Sequence, residues 1–433
     1  MEAAFHGMEG PRANGPTQVI AYLVGTFPGI TETFILREIR SLLERDFEVI
    51  VCAVRRSDLS EVERSLLPEG LKVQAIYARP DKVFRHFWAN LRAFGRAPAR
   101  YIEALGIFAG ELKWLKPYDI GRILYHFYCG IGFIDTFKRH GVQHLHAHFV
   151  AGSNMALVAN IYAGYSFSFS AHASGDIYVD AVLLEEKMHR AASVVAVCEY
   201  NRRYLDSVTG FKYSDKLLRI YNGVDLKEPE EIGGSTRGSD ESPEERRARV
   251  LSVGSLVRMK GHATLILACK LIKERGYEFA CEIIGEGPER GVLERLIRES
   301  GLEGHVRLAG AQPLRMVYKA LDKADVFVLL SEIDIDGFRD GFPTVILEAM
   351  AMSLPVVSTW VSGIPEMIEP GVTGVLVPER DVRAAADAIA GLLDQEGLRQ
   401  AMGSAGRKKL EAQFNATDSA DLRALVLRKI AES

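Results

Sequence analysis

The sequence predicts an α/β protein built from two doubly wound, parallel-sheet domains in series. Apolar runs of strand length alternate with amphipathic helix patterns from Gln18 onward, which is typical of a parallel sheet with helices on both faces. This rhythm stops in the polar stretch from Asp225 to Arg249 and then restarts. A chain of 433 residues is also too long for one ordinary core. We therefore expect two Rossmann-like domains that face each other across a cleft.

The first domain is predicted to span residues 1–225, followed by a polar linker at 226–249. Its strands are expected to be buried apolar runs, and a first helix is expected from Glu32 to Arg45. The second domain is predicted to span residues 250–414. The strands predicted are Gln18–Gly25, Glu48–Val54, Lys72–Tyr77, Tyr165–Ala171, Ser193–Val197, Leu217–Tyr221, Val250–Gly254, Phe279–Ile284 and Ala324–Leu330.

Composition narrows the functional class. A chain with 48% hydrophobic and 25% charged residues is typical of a soluble globular protein. Its net charge of −4 gives no overall nucleic-acid footprint, so no nucleic-acid partner is expected. The five cysteines are scattered among apolar residues, which indicates neither a disulfide framework nor a zinc site. The sequence shows no signal peptide and no membrane-spanning run, so a cytoplasmic location is expected.

The stretch from Asp340 to Met350 is the strongest candidate for chemistry. It follows a predicted buried strand, and Pro343 is suited to the first position of a helix. Gly341 is expected to let a ligand approach the backbone. The free amides of a helix start carry about half a positive charge and suit a phosphate. Glu348, one turn further in, is placed to bond a hydroxyl, so the segment fits a nucleotide sugar, although an ordinary strand-to-helix connection has the same pattern.

A helical region is predicted from Asp81 to Lys138, and its first part interleaves aromatic and basic residues. Such a helix either lies on an anionic membrane or packs its aromatic face on the sheet and exposes its basic face. The second interpretation is favoured. The aromatic and apolar residues concerned are Phe84, Phe87, Trp88, Leu91 and Phe94.

Histidines mark two strand ends in the first domain. His144, His146 and His148 alternate along a predicted strand, so all three share one face. A zinc site there is disfavoured because no matching cysteine or carboxylate spacing accompanies them. His172 follows the next strand in a polar loop that ends at Asp176, at the sheet edge where ligands collect. A single histidine in that position can also be purely structural.

Six separated motifs run from about residue 20 to residue 370. They are Phe27-Pro28 with Thr31–Ile35 and Arg37–Ile39, His146–Phe149, Ala171–Ala173, Asn222–Asp225, Gly285–Pro288, and Gly341–Pro343 through Glu348–Met350. Each motif is weak alone, but their order and spacing are specific. Together they resemble the family 4 retaining glycosyltransferases with the GT-B fold, in particular the bacterial exopolysaccharide and colanic-acid type.

The resemblance implies that the first domain holds the acceptor and the second holds a UDP- or GDP-linked sugar. It also implies that the last helix, within residues 415–433 and assigned to Asp418–Ile430, returns to the first domain. No cofactor and no metal are implied. The implied catalytic residues are His172, Asp340 and Lys260; the donor-binding residues are Glu348, Arg258, Gly341, Phe342, Pro343, Thr344, Val345, Gly285 and Glu286; and the acceptor-side residues are Thr31, Glu32, His146, His148 and Asp176.

Three departures from the family pattern bear on the donor site. The first acid of the family's pair is Asp340 rather than glutamate, so its contact with the sugar is altered or passed to Asp336. Ser255 replaces an arginine, which leaves Arg258 as the nearby basic substitute, and Gly175 lengthens the loop after His172. A metal-binding role for the Asp334-Ile335-Asp336 segment is disfavoured.

The function expected from the resemblance is retaining transfer of a sugar to a glycan or lipid-linked acceptor in cell-surface polysaccharide or glycolipid synthesis. A lipid-linked acceptor would make association with the inner face of the cell membrane useful. Two other classes stay open: an epimerase acting on nucleotide sugars with the same architecture, and a catalytically weak subunit that binds nucleotide. The changes at Ser255 and Asp340 give some weight to the catalytically weak subunit.

Overall fold

The chain folds into two parallel β-sheets in a computed structural model that describes residues 18–29, 32–57, 74–78, 83–111, 117–179, 181–226 and 247–432. The predicted linker lies largely outside these ranges. In the first domain the strands are β1 (Gln18–Phe27), β2 (Phe47–Arg56), β3 (Gln74–Tyr77), β4 (His144–His148), β5 (Phe167–Ala171), β6 (Ser193–Ala196) and β7 (Leu217–Arg219). The helices are α1 (Thr33–Leu43), α2 (Val83–Arg96), α3 (Pro98–Glu111), α4 (Pro117–Arg139), α5 (Phe149–Ala163), α6 (Ser174–Ile177), α7 (Leu184–Arg190) and α8 (Glu199–Val208).

The second domain repeats the same alternation of strands and helices. Its strands are β8 (Ala248–Val253), β9 (Phe279–Ile284), β10 (Val306–Gly310), β11 (Val326–Leu329), β12 (Val356–Thr359) and β13 (Gly374–Val377). Its helices are α9 (His262–Glu274), α10 (Arg290–Glu299), α11 (Leu314–Lys323), α12 (Thr344–Ala351), α13 (Ile364–Met367), α14 (Val382–Asp394) and α15 (Glu396–Gln413). The helix α16 (Ala416–Glu432) follows this domain.

Both sheets are doubly wound, which confirms the predicted fold class. The strand orders are β3-β2-β1-β4-β5-β6-β7 and β10-β9-β8-β11-β12-β13, and every strand pair is parallel. In each sheet the order reverses beside the first strand, between β1 and β4 and between β8 and β11. Ligands of such sheets bind outside the carboxyl ends of the strands at this reversal. The two reversal points face the same interdomain space.

The chain crosses between the domains at two neighbouring points. Val224 pairs with Asn415 in an isolated parallel bridge, where the amide of Ala416 donates to the carbonyl of Val224 at 3.2 Å. After this crossing, α16 packs against the first domain, and its Ala424 and Leu427 belong to the apolar cluster on the α1 face of the sheet. The first domain is thus assembled from two separate stretches of chain.

The aromatic face of helix α2 is exposed, whereas the favoured prediction had it packed on the sheet. Phe84 and Trp88 have exposed fractions of 82% and 56%, and Phe87, Leu91 and Phe94 are exposed as well. The buried face consists of small and polar residues, including His86 and Asn90, whose side-chain amide donates to the carbonyl of Tyr128 at 3.0 Å. The expectation that the aromatic face packs on the sheet is therefore wrong. Within the described residues, no helix is both long enough and apolar enough to cross a membrane.

Candidate active site

A cavity of about 600 Å³ lies between the domains at the carboxyl ends of both sheets. One wall is formed by α1 and the segments that follow β1, β4 and β5. The opposite wall is formed by the segments that follow β8 and β9 and by the start of α12. Most of the predicted site residues line it: Glu32, His172, Lys260, Gly285, Glu286, Asp340, Gly341, Phe342, Pro343, Thr344, Val345 and Glu348.

The amino end of α12 opens into this cleft. Pro343 was predicted at the first helical position, but it occupies the N-cap position, one residue before the helix begins at Thr344. No side chain caps the helix. The first hydrogen bond of the helix runs from the amide of Ile346 to the carbonyl of Pro343 at 3.1 Å. Thr344 and Val345 precede it at the start of the helix, where both are half-buried beside the cavity. A helix start of this kind attracts anionic groups.

Gly341 is required for a reason that the sequence did not suggest. A Cβ atom at this position would lie 2.1 Å from the carbonyl oxygen of His172 in the other domain. The glycine therefore allows the two domains to approach each other, in addition to lining the cleft. Gly285 plays the corresponding role within the second domain, where a Cβ would lie 1.9 Å from the carbonyl oxygen of Gly254.

Lys260 reaches the cleft from a 3₁₀ turn after β8 and pairs with Asp340. Its Nζ lies 2.6 Å from Oδ1 of Asp340, whose Oδ2 accepts a hydrogen bond from Ser331 at 2.6 Å. Both carboxylate oxygens of Asp340 are therefore engaged within the protein. Any anion that binds Lys260 must compete with Asp340 for it.

Two predicted donor residues lie outside the cavity lining. Arg258 is largely exposed, and its Nε lies 3.6 Å from Oε1 of Glu289. Asp336 is exposed in the turn where the Asp334 carboxylate accepts its amide at 2.9 Å and that of Phe338 at 2.8 Å. The Asp334-Ile335-Asp336 segment thus forms a capped turn. Arg258 does not replace the missing arginine at the cleft, although Ser255 lies in the lining.

Arginines of α1 supply positive charge from the opposite wall. Arg37 and Arg40 both line the cavity, and Nη2 of Arg37 lies 3.0 Å from Oε1 of Glu348 in a buried pair that joins the domains. The sequence reasoning assigned no role to either arginine. The signal available was the spacing of Thr33, Arg37 and Arg40, which places all three on one face of a helix.

Two acidic groups on the first domain hold protons more tightly than usual. Burial and the neighbouring Asp176 raise the pKa of Glu32 to about 7. Burial likewise raises the pKa of Asp176 to about 7, although the amide of His172 donates to its Oδ2 at 3.2 Å. Glu32 lines the cavity, whereas Asp176 lies behind it in α6, where a loop was predicted. Thr31 lies outside the described residues.

His172 packs against two aromatic rings at the cleft. Its ring centroid lies 4.8 Å from that of Phe34 and 4.7 Å from that of Phe149. Phe149 has a φ of 60°, a left-handed conformation that a bulky residue adopts at a cost, and it directly follows the end of β4. Burial lowers the pKa of His172 well below its usual value, so the ring is neutral.

His146 and His148 lie behind His172 rather than in the cavity wall. His146 contacts the hydroxyls of Ser168 and Ser170 at 2.8 and 3.1 Å, and Nδ1 of His148 lies 2.9 Å from Nε2 of His172. The sequence placed both on the acceptor side. The structure instead makes them part of a buried polar cluster that supports His172.

The buried cluster contains one group of potential metal ligands. Glu38, His146 and His148 offer ligand atoms within 4.8 Å of one another. The guanidinium of Arg423, from α16, lies 3.1 Å from Oε2 of Glu38 and 3.3 Å from Nε2 of His146. Because this buried cation already balances the carboxylate, the arrangement is an internal ion pair and fits a metal ion poorly.

Two doubly wound domains with a ligand cleft between their reversal points define the GT-B architecture of glycosyltransferases. The family Glycosyl transferases group 1 matches residues 237–409, a range that includes the whole second sheet. The glycosyltransferase resemblance indicated by the motifs is confirmed at this level, whereas family 4 and retention stay predictions.

Relatives in sequence and in structure agree with this assignment. The amylovoran biosynthesis glycosyltransferase AmsK of Erwinia amylovora is 39% identical over 188 residues, 43% of this chain and 45% of the relative. The putative colanic acid biosynthesis glycosyltransferase WcaL of Escherichia coli is 42% identical over 168 residues, 38% of this chain and 41% of the relative. The match thus spans less than half the length of either relative.

Solved structures are similar over nearly the whole chain. A glycosyltransferase from Rickettsia africae covers 97% of this chain and 100% of its own, with a TM-score of 0.68 and 16% identity. Anabaena HepE in complex with UDP and glucose covers 95% of this chain and 99% of its own, with a TM-score of 0.70 and 17% identity. At these identities the likeness establishes the fold.

Proposed function

We propose that this chain is a retaining glycosyltransferase that moves a sugar from a nucleotide-diphosphate sugar to a glycan or lipid-linked acceptor in cell-surface polysaccharide or glycolipid synthesis. One observation carries the proposal: Lys260, the open start of α12 and Glu348 converge on one wall of a cleft between two doubly wound domains. A cation and free helix amides suit a diphosphate, and the nearby carboxylate suits a ribose hydroxyl.

The chemistry requires stabilisation of charge at both ends of the breaking bond. As the C1–O bond of the donor breaks, positive charge grows on the sugar and negative charge grows on the diphosphate. Lys260 leaves Asp340 for the diphosphate, and the amides of Thr344 and Val345 bind the same group. Preorganised donors of this kind act on the developing charge without a metal ion. The leaving phosphate then accepts the acceptor's proton on the same face of the sugar, so no nucleophilic carboxylate is needed.

The donor nucleotide in this proposal is UDP or GDP. Anabaena HepE is described in complex with UDP and glucose. A relative from Mycobacterium tuberculosis, 34% identical over 169 residues, is named a GDP-mannose-dependent phosphatidylinositol monomannoside mannosyltransferase. The second name also supports a lipid-linked acceptor.

Peripheral membrane association is part of the same proposal. The exposed aromatic surface of α2, formed by Phe84, Phe87, Trp88, Leu91 and Phe94, lies next to the exposed Arg85 and Arg96. Exposed apolar patches of this kind commonly mark interaction sites, and basic residues beside them favour an anionic lipid surface.

A panel of UDP- and GDP-linked sugars, incubated alone and with a lipid-linked acceptor, tests the proposal. Transfer that requires the acceptor supports it. A new nucleotide sugar formed without acceptor would identify an epimerase instead, and nucleotide binding without turnover would identify an inactive subunit. A thermal-shift screen selects the donor beforehand, because a ligand at 100 times its Kd stabilises a fold by about 2.7 kcal/mol.

Transfer is expected to be independent of divalent metal ions, because Lys260 and the start of α12 supply the positive charge at the diphosphate. Activity measured after treatment with EDTA should equal the untreated rate. A rate that collapses on chelation and returns with added Mn²⁺ or Mg²⁺ would contradict this expectation.

A further inference from the structure

We propose that Glu38 and His148, buried behind the cleft, are positioning residues that fix the tautomer of His172, so that its Nδ1 presents a lone pair to a hydroxyl of the donor sugar. The proposal rests on the proposed function in one respect only, the identity of the ligand that meets His172. The hydrogen-bond relay itself is a property of the protein and can be measured without substrate.

The relay starts at an ion pair between two elements that are distant in the chain. Arg423 of α16 lies 3.1 Å from Oε2 of Glu38 on α1, and both side chains are almost fully buried. Although burial alone raises the pKa of Glu38, Arg423 and the neighbouring His148 and Tyr22 together lower it to about 2. Glu38 is therefore a carboxylate that can only accept hydrogen bonds.

The second oxygen of Glu38 faces His148. Nε2 of His148 lies 3.5 Å from Oε1 of Glu38, which also accepts the hydroxyl of Tyr22. At this separation the contact is mainly electrostatic, and a negative oxygen attracts an N–H and repels a lone pair. When the His148 ring carries a single proton, this geometry favours that proton on Nε2, opposite the carboxylate, and leaves Nδ1 as an acceptor.

The tautomer of His172 follows from that of His148. Nδ1 of His148 lies 2.9 Å from Nε2 of His172, and one of the two nitrogens must donate. Because His148 accepts at Nδ1, His172 donates from Nε2 and carries no proton on Nδ1. Among the described residues, no hydrogen bond to Nδ1 of His172 is present, and His172 lines the cavity. Nδ1 is thus the ring nitrogen left to accept a hydrogen bond from the ligand.

Glu38→Gln should reverse the tautomers of His148 and His172, because Arg423 fixes the orientation of the new side-chain amide. Arg423 can only donate, so the carbonyl oxygen of the glutamine must face it and the NH₂ group must face His148. His148 then accepts at Nε2, carries its proton on Nδ1 and donates to Nε2 of His172. His172 is left with its proton on Nδ1, where the sugar hydroxyl requires a lone pair.

The test combines a spectroscopic and a kinetic measurement on the full chain. The ¹⁵N spectrum of histidine-labelled protein distinguishes protonated from unprotonated ring nitrogens, and His172→Asn assigns the His172 signals. We expect Nε2 of His172 to be protonated in the wild type and Nδ1 to be protonated in Glu38→Gln. Turnover of the donor should fall by about 10- to 100-fold in Glu38→Gln, as for other groups that orient a functional histidine, and kcat should change more than the donor KM.

His148→Asn is the second variant, because Glu38→Gln leaves Arg423 without its carboxylate and can fail to fold. It breaks the relay and leaves the ion pair intact, so mixed tautomers of His172 and a similar loss of kcat are expected. His144→Asn is the matched control. His144 is buried on the same face of β4, but within the described part of the chain its ring bonds to Ser166 and Ser168 and not to Glu38 or His172, so its loss should leave the His172 tautomer and kcat unchanged.

Three results would overturn the proposal: a wild-type His172 protonated at Nδ1, a tautomer unchanged in Glu38→Gln and in His148→Asn, or an equal loss of kcat in His144→Asn. If the wild type transfers no sugar from any donor, the proposed function fails. The comparison of tautomers still decides whether the relay exists.

Discussion

Two of the charged side chains proposed to bind the donor form ion pairs within the protein. Lys260 is neutralised by Asp340 at 2.6 Å, and Glu348 is neutralised by Arg37 at 3.0 Å. Each pair contains one group that the donor is proposed to bind. An incoming diphosphate therefore meets a lysine that already has an ionic partner, and it either displaces the carboxylate or shares the ammonium group with it.

Lys260→Ala should lower turnover far more than donor binding. With Ser255 neutral and Arg258 turned toward Glu289, Lys260 is the cation of the second domain that acts on the charge of the leaving diphosphate. By analogy with the loss of one oxyanion donor, we expect a decrease of about 100- to 1,000-fold in kcat. Steady-state kinetics and donor Kd measurements separate the two effects.

Arg258→Ala is the control for this prediction and should stay near the wild-type rate, because its side chain lies outside the cavity. Ser255→Arg in the Lys260→Ala background should recover part of the rate if both positions face one diphosphate. A normal rate in Lys260→Ala would show that the diphosphate binds elsewhere.

Glu32 should make stability depend on pH. Its pKa is raised from 4.5 to about 7 by burial and by Asp176, so the folded state binds a proton that the unfolded state has already lost. The contribution of Glu32 to the free energy of unfolding therefore decreases as the pH rises from about 4.5 to 7. Glu32→Gln should stabilise the protein by about 1–3 kcal/mol at pH 8 and by much less at pH 5.

Thermal melts at the two pH values provide the measurement for Glu32. Glu44→Gln on the same helix is the control, because the Glu44 side chain has an exposed fraction of 58%. An equal shift of the melting temperature at both pH values in Glu32→Gln would contradict the prediction.

At the scale of single elements, α2 shows what an amphipathic pattern does not determine. The alternation of apolar and polar residues predicts a helix, but it does not tell which face finds a partner. Ala89, Asn90 and Ala93 pack inward because small side chains allow close approach. The side-chain amide of Asn90 donates to the carbonyl of Tyr128, and its oxygen accepts from the hydroxyl of Tyr101, so this residue holds α2 to its neighbours. The large apolar residues are left on the outside.

The exposed face of α2 should bind anionic membranes. Replacing both Phe84 and Trp88 with serine should abolish sedimentation with vesicles that contain phosphatidylglycerol, because burial of aromatic surface supplies the binding energy. Ile335→Ser is the control, since Ile335 is also highly exposed but lies in the second domain. Binding should weaken with added salt as the basic residues are screened. Failure of the wild type to sediment at low salt would exclude this role.

Other elements were predictable because their signals are local. The strand Phe279–Ile284 was predicted with its observed limits, and the histidines of β4 share a buried face as their period of two indicated. Helix ends differ by one or two residues, as at Pro343, because end positions depend on capping rather than on periodicity. The left-handed conformation of Phe149 has no sequence signal and is imposed by the surrounding packing.

At the scale of the whole molecule, contacts between the domains could not be predicted from the sequence. Arg37 and Glu348 meet across 311 positions of chain, and neither residue shows its partner in the local pattern. Glu366 of α13 accepts the amides of Glu199 and Tyr200 at 2.8 Å each and so caps α8 of the other domain. These contacts join the two domains on either side of the cleft.

The ion pair between Arg37 and Glu348 should couple the contact between the domains to donor binding. Glu348→Gln keeps the shape but weakens a charge-assisted bond to the ribose, so donor affinity should fall by about 1–3 kcal/mol. Arg37→Met leaves Glu348 buried without this partner and should also weaken binding. Because the two residues contact each other, the double variant should lose less than the sum, with a coupling of about 0.5–3 kcal/mol.

Calorimetric titration with UDP and GDP measures this coupling. Arg40→Met is the control, because Arg40 lies on the same helix and pairs with the exposed Glu44, so it should show no coupling with Glu348. Strict additivity of Arg37→Met and Glu348→Gln would separate the ion pair from donor binding, and unchanged affinity in Glu348→Gln would remove Glu348 from the site.

The ion pair between α1 and α16 also bears on how the protein is made. Arg423 is translated long after Glu38, so the buried carboxylate of the first domain meets its cation only once α16 has been made. At about 5–20 residues per second, this interval is on the order of tens of seconds on the ribosome. During that time Glu38 must remain hydrated or take up a proton. The sheet can therefore form early, but the environment of His172 is completed only after the second domain has emerged.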